Sequence, residues 1–531
     1  MNGAGKRTWT LVGLILRRDR IRLSLWLFGI SAASILTAIA FPGLYGDSTE
    51  RQQLAETMIN PAVTAMVGPG HGLQDYHYGA IMAHQMLGLT LLAAAVMSVL
   101  LIVRYTRTDE EDGRTEMVRS LAVGRAAPVL AAVMVVGGLN VLLVPVHGVG
   151  MGALGLEGMD WNGSFLYGAA IGGAGLIFMG LTLIASQLVD NTRGALGLGM
   201  LAAGGFYVVR AIGDISNDVF NYFSPYGWLL KIEVYVTNQW TPLIVTAAAA
   251  LLVTAAGMYL YMRRDLGSGL LPQRPGRAKA SPALLSPFGL AWRLQRMTLA
   301  IWLGALFFLG ITYGSVLGDV DVYFDEIEYM AEFLPPIEGF SLAEQFLGLI
   351  LVIMAIIAAI PVIMQVTKLY AEEKKVRAEI VTSLAVSRYK LMASYVLLAV
   401  ITSIVMLFAS ASGLALGAAY SLDEAESFAS YVGAGMTYLP ALWVMAGVAL
   451  LLIGLVPSWT SAVWGYLFAS FVIVYMGGLF QFPDWTQKIS PFGFVPGVPV
   501  EDFELLPLLG LTGTALLLGI AGFMSYRRRD L

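Results

Sequence analysis

Cysteine is absent from the 531 residues, and histidine occurs only four times. Without a thiol there can be no disulfide scaffold, zinc ribbon, thiol nucleophile or iron–sulfur cluster. Charge is scarce as well. Asp, Glu, Lys and Arg make up 13% of the chain, about half of the roughly 25% usual in a soluble domain. The formal net charge of −4 gives no basic field for nucleic acid. No G-x-x-x-x-G-K-[ST] motif occurs, and Gly5-Lys6 is followed by Arg7, so the chain carries no phosphate-cradling loop for ATP. The apolar runs hold no convincing Asp, Glu or His relay of the kind a proton-driven pump needs. The polar constellation that a lipid-modifying membrane enzyme requires is missing too.

What the chain has in excess is apolar sequence. Hydrophobic residues make up 57%, and 59 glycines lie among them. A soluble core cannot hide so much apolar surface, whereas small residues and long apolar runs suit close-packed helices in lipid. Stretches of about 20 apolar residues predict twelve spans. They fall near 23–42, 80–103, 127–149, 163–188, 194–213 and 240–262, then near 298–318, 345–366, 389–419, 433–456, 460–480 and 506–526. The first run is long for a signal-peptide core and is read as an uncleaved span. The ninth is too long for one straight crossing, so part of it is expected to leave the bilayer. The expected fold class is all-α, a polytopic membrane protein of twelve helices.

Charge sets the orientation. With both termini in the cytoplasm, every Lys and Arg except Arg51, Arg210, Lys231 and Lys488 falls on the cytoplasmic side, and most acidic residues fall outside. This is the positive-inside rule.

The chain also repeats itself. AGMYLYMRRDL (256–266) returns as AGFMSYRRRDL (521–531), and EEDGRTEMVRSLAVGR (110–125) returns as EKKVRAEIVTSLAVSR (373–388). Gly13-Leu14, Arg17, Arg20, Leu23 and Trp26-Leu27 recur as Gly289-Leu290, Arg293, Arg296, Leu299 and Trp302-Leu303. Ser224-Pro225-Tyr226-Gly227-Trp228 recurs as Ser490-Pro491-Phe492-Gly493-Phe494. Four matches in one order mark a duplication. Six spans per repeat make the two halves parallel rather than inverted. The expected domains are 1–266 and 286–531, joined by a Gly-, Pro- and Arg-rich cytoplasmic linker at 267–285. Function is expected where the halves meet.

Each half opens on a basic, apolar-rich segment, TWTLVGLILRRDRIRL and LLSPFGLAWRLQRMTL. Such a segment suits a helix lying in the membrane interface, arginines on lipid phosphates; the plainer alternative is a long span with snorkelling arginines. The repeated loop after the second span of each half reads E-x-x-x-R-x-E-φ-V-x-S-L-A-V-x-R. Helical spacing allows Glu110 to pair with Arg114, and Glu373 with Arg377. It sets Met117 beside Leu121 and Ile380 beside Leu384, giving a short amphipathic helix under the membrane. The positive-inside rule accounts for the basic residues of this loop but not for Glu116, Glu379 and the identical Ser-Leu-Ala-Val.

On these residues the loop resembles the coupling-helix loop of type-2 ATP-binding-cassette exporter permeases, with Ala122 and Ala385 where that family often has proline. The resemblance runs over essentially the whole chain, twice. The fused, duplicated form is similar to the polyketide-antibiotic and drug exporter permeases of Gram-positive bacteria. It implies that Glu110, Arg114, Glu116, Ser120 and Arg125, with Glu373, Arg377, Glu379, Ser383 and Arg388, contact a cytoplasmic ATPase, two copies per chain. It implies no cofactor in this chain, ATP and magnesium being bound by that partner. It also implies that Ser224, Pro225 and Tyr226, with Ser490, Pro491 and Phe492, lie in outer re-entrant elements, although ordinary turns fit the same residues. The expected protein is a translocation subunit, not an enzyme, in a bacterial cell membrane, exporting an apolar or amphipathic compound. The alternative is a twelve-span secondary carrier of the major facilitator type, whose loop after the second span Asp112-Gly113-Arg114 resembles.

The remaining polar residues support blander readings. Arg210, near the end of the fifth span and four residues before Asp214, is expected to snorkel outward, and Glu344 to be solvated. His71, His77, His84 and Asp75 fit no metal-ligand spacing. The acidic outer loop 319–339 reads as a solvated face, with attraction of cations as the sharper alternative. Methionines and aromatics within the spans suit a cavity for varied apolar ligands and lipid-facing packing equally, so no substrate-binding residue is assigned.

Overall fold

The computed structural model describes residues 3–271, 279–319, 341–374, 377–384, 386–422, 425–476 and 482–529. Among them there is no strand, and twelve helices are long and apolar enough to cross a membrane. The protein is an all-α polytopic membrane protein. In lipid every backbone N–H and C=O must find its partner inside its own segment, and uninterrupted helices do this. Most of the acidic loop 319–339, residues 272–278 of the linker, Ala385 and the last turn of the predicted eleventh span lie outside the described residues.

The chain divides into two compact units, Met1–Pro275 and Gly276–Leu531. The first contains α1 (Thr8–Arg18), α2 (Arg20–Leu44), α3 (Ser48–Thr57), α4 (Pro61–Val67), α5 (Tyr78–Val103) and α6 (Arg114–Arg119). It continues with α7 (Ala127–Gly152), α8 (Trp161–Leu188), α9 (Thr192–Ile215), α10 (Pro225–Leu230) and α11 (Thr241–Arg263). The second contains α12 (Pro287–Val316), α13 (Leu342–Lys374), α14 (Arg377–Thr382), α15 (Arg388–Ser421), α16 (Phe428–Met436), α17 (Leu439–Leu455), α18 (Ala462–Met476) and α19 (Leu505–Arg528). The expected long ninth span is one unbroken 34-residue helix, α15. At 1.5 Å per residue it measures about 51 Å, well beyond the roughly 30 Å of a hydrocarbon core.

The core of the first unit is α8, whose residues from Leu166 to Phe178 are almost wholly buried among α5, α7 and α11. In the second unit α12 and α15 pack closest. Gly310 and Gly314 of α12 face the carbonyls of Ser410 and Leu414, while Gly413 and Gly417 of α15 face those of Phe307 and Ile311. A Cβ at any of the four would overlap a backbone oxygen. Reciprocal small residues at four-residue spacing let two backbones touch, which replaces the hydrophobic drive that lipid does not supply.

The two opening segments differ, against the matched expectation. In the first unit α1 is a separate helix that ends at Asp19, and α2 begins on the next residue. In the second, the corresponding segment runs straight into the span as part of the 30-residue α12. One position explains this. The Asp19 carboxylate is held by Arg18 at 2.9 Å, Arg22 at 3.0 Å and Arg104 at 2.9 Å, while its counterpart Gln295 bonds back to Ala291 within the helix.

Candidate functional site

The loop joining α5 to α7 is built from both ends inward. Past Val103 the backbone widens into a π-helical turn, Arg104–Thr108, which aims Arg107 into the protein. Arg107 is fully buried; it pairs with Glu110 at 2.9 Å and donates to the carbonyls of Ser186 and Ser268. Gly113, at φ 72°, then turns the chain in the left-handed region and starts α6. Ser120 ends that helix by donating to the Met117 carbonyl at 2.8 Å, and Ser383 ends α14 by the same bond to Ile380 at 2.9 Å. These two serines satisfy carbonyls that a helix end leaves orphaned.

The expected pairs Glu110–Arg114 and Glu373–Arg377 do not form. Arg114 instead holds Asp109 at 2.6 Å and Asp112 at 2.8 Å, and Arg377 faces Glu372 at 3.7 Å. Glu110 and Glu373 point the other way, into the unit, where Arg264 and Arg529 meet them at 2.5 Å and 2.8 Å. Arg125 donates to the Arg264 carbonyl at 3.0 Å, and Arg388 to the Arg529 carbonyl at 2.7 Å. A desolvated carboxylate needs a charged partner more than an exposed one does. Spacing along one helix could not show this, because the partners lie some 150 residues away at the end of each last span. The repeated Arg-Arg-Asp-Leu was the available signal.

What the two loops leave exposed is equally matched. Met117 is 70% exposed and Leu121 61%, against 68% for Ile380 and 66% for Leu384. Glu116 and Glu379 stand beside them in solvent, with no partner among the described residues, while Thr115 and Ala378 turn inward. Each unit thus presents one short helix and the turn after it, with two apolar side chains and one free carboxylate. The exposed apolar pair recurs at the same register in both units.

The loop of the first unit is also tied to α1, through Arg18–Asp109 at 3.2 Å and Arg104–Asp19. Burial pushes the Asp19 carboxyl up, but hydrogen bonds from Arg104 and Arg18 outweigh it and hold the group below the usual carboxylate range.

At the other end of the first unit, Ser224 donates to the Phe206 carbonyl at 2.7 Å, and Pro225 and Tyr226 are buried at the start of α10. In the second unit Ser490 caps a short 3₁₀ turn that buries Pro491 and Phe492. Gly227 and Gly493 lie against the carbonyls of Asn221 and Gln487, where a Cβ would overlap. The repeated Ser-Pro-aromatic-Gly is therefore a buried, tightly folded corner in both units.

A family model described as "Multidrug efflux system permease Rv1217c, C-terminal domain" matches residues 10–262 and 284–527. The chain belongs to this family of efflux permeases. It is 33% identical to the multidrug efflux system permease protein Rv1217c of Mycobacterium tuberculosis (strain ATCC 25618 / H37Rv), over 98% of this chain and 95% of that one. An Rv1217c-type permease is a multi-pass transport subunit rather than an enzyme, and belongs to a system with other components.

The other polar candidates of this permease take structural places. Arg210 does not snorkel. It is fully buried, pairs with Asp214 at 3.0 Å and donates to the carbonyls of Thr64, Ala65 and Met66 at the end of α4. Its guanidinium caps α4, which carries the negative end of a helix dipole there. Glu344 is drawn back to the backbone N–H of Ser341 at 2.7 Å, a capping box that starts α13. His84 hydrogen-bonds Tyr76 at 2.9 Å, His77 caps α5 and His71 faces Glu233 at 3.7 Å. Among the described residues no three His, Cys, Asp or Glu side chains converge as a metal site requires.

One apolar cavity of about 390 Å³ lies within the second unit. It opens between α13, α15, α17 and α19, with Trp443, Gly447, Ala515, Gly519 and Phe523 among its walls.

Proposed function

We propose that this chain is the membrane-spanning subunit of an ATP-driven exporter of the type-2 ATP-binding-cassette class, carrying apolar or amphipathic drugs or antibiotics out of the cell. ATP and magnesium are bound by a separate cytoplasmic ATPase, two copies per chain, one under each of α6 and α14. Glu116 with Met117 and Leu121, and Glu379 with Ile380 and Leu384, are the docking surface. Closure of the ATPases on ATP moves the two loops, and the spans above them follow. Both termini lie in the cytoplasm, on the side that holds nearly all the Lys and Arg. Ser224–Tyr226 and Ser490–Phe492 form short outer re-entrant corners.

The observation that carries this reading is the exposed apolar pair at one register on both short helices and the turns that follow them. An apolar pair beside a free carboxylate suits a groove in a folded partner better than it suits solvent. The efflux function of the Mycobacterium tuberculosis relative supports the substrate class, and the cavity of about 390 Å³ falls in the size range of small-molecule sites.

The test is to purify the tagged chain gently from its native membranes and quantify what accompanies it. A Walker-containing ATPase at two copies per chain is the expected result. If transport in vesicles collapses with an uncoupler at constant ATP, the chain is instead a twelve-span secondary carrier.

A further inference from the structure

One arginine closes each loop, and three of its bonds fall at matching places in both units, Arg264 adding two more to the carbonyls of Asp265 and Ser268. In the first, Arg264 reaches Glu110 at 2.5 Å and Gln187 Oε1 at 2.6 Å, and its carbonyl accepts from Arg125 at 3.0 Å. In the second, Arg529 reaches Glu373 at 2.8 Å and the Ile453 carbonyl at 2.8 Å, and its carbonyl accepts from Arg388 at 2.7 Å. Gln187 and Ile453 both lie at the end of the fourth span of their half. Arg264 stands over Tyr261 and Arg529 over Tyr526, three residues earlier on the last span. The side chain of the fourth-span partner changed between the copies, from a glutamine amide to a backbone carbonyl, yet the junction stayed.

We propose that Arg264 and Arg529 are the transmission residues of the transporter. Each is a positioning residue that joins both ends of its coupling loop to the fourth and sixth spans of its half, so that loop and spans move as one body. The geometry explains why the loop needs this. Its exposed helix is held by the chain itself only to the spans before and after it. The guanidinium is the polar link from the loop to the fourth span that recurs in both halves; in the first half Arg107 adds a second through the Ser186 carbonyl. A planar fork with five donors holds the loop carboxylate and the fourth-span oxygen at fixed angles, which the rotating ammonium of lysine does not. Both ion pairs are largely out of water, with side-chain exposures of 2% and 4% in the first unit and 22% and 5% in the second. Such pairs fix geometry more than they add stability.

The inference rests on the ATP-driven reading and is tested in the purified complex with its accompanying ATPase, reconstituted in vesicles. Arg264→Gln with Arg529→Gln should leave the ATPase bound at the wild-type ratio. It should lower the amount exported per ATP hydrolysed about tenfold, the size of a typical coupling energy. Arg264→Lys with Arg529→Lys keeps the charge but not the paired guanidinium bonds, and should not restore coupling; full restoration overturns the inference. Because the chain has no cysteine, spin labels at Ala122→Cys and Met262→Cys report the loop-to-span distance alone. That distance should be narrow in the parent and broad after Arg264→Gln. A distance that stays narrow, or a coupling ratio that stays at the parent value, overturns the inference while the ATP-driven reading stands. Parent vesicles that export without ATP overturn that reading, and the transmission role with it.

Discussion

Arg210 and Asp214 form a 3.0 Å ion pair one helical turn apart on α9, and neither side chain reaches solvent. Asn221 holds the second carboxylate oxygen at 2.8 Å, and the guanidinium faces the Tyr207 ring at 4.2 Å. The pair and the end of α4 form one closed polar cluster in an apolar surrounding.

Removing only the cation should therefore be costly. Arg210→Met leaves Asp214 buried without its partner and the α4 carbonyls without donors, a loss of about 3–5 kcal/mol. Arg210→Met with Asp214→Leu should recover much of it. Thermal unfolding of the detergent-solubilised chain checks both; equal loss in the single and double variants would refute the pairing argument.

Met117→Asp with Ile380→Asp should weaken retention of the ATPase about tenfold, since buried apolar anchors carry most interface energy. Neither side chain packs inside its own unit, so insertion and melting temperature should not change. Quantified co-purification provides the measurement.

Glu116→Arg with Glu379→Arg should uncouple hydrolysis from export while the chain inserts normally. Both carboxylates are free in solvent, so reversing them disturbs no internal bond. Normal transport by this double variant would remove them from the docking surface.

Gly519 lines the cavity of the second unit, and a side chain added there meets open space. Gly519→Leu should thus fill the cavity without lowering stability. Export of bulky apolar dyes should fall several-fold in vesicle assays, and an unchanged rate would place the substrate elsewhere.

Asp19 predicts a dependence on pH. Its carboxyl lies below the usual 3.8 in the folded chain, so it contributes stability above that value and loses it as pH falls through the folded pKa. The melting temperature of the parent should drop more steeply below about pH 4 than that of Asp19→Asn, whose side chain does not ionise. Parallel curves would count against the Arg18–Asp19–Arg104 junction.

The fold class and all twelve spans were legible in the sequence, because membrane insertion depends on the apolar length of each segment and little on its neighbours. The duplication was legible as well, from four collinear matches, and so was the amphipathic pattern that leaves Met117 and Ile380 outside. What the sequence could not determine was which charges meet. Helical spacing offered Arg114 to Glu110, and the tertiary structure chose Arg264. Topology rules sent Arg210 outward, and packing turned it onto α4. Matched opening segments suggested two helices of one kind, but Asp19 separates the first from its span while Gln295 leaves the other continuous with its own. The reason is common to all three. Insertion is a local property of a segment, whereas a buried charge must find a partner wherever the fold brings one, and that place has no fixed distance along the chain.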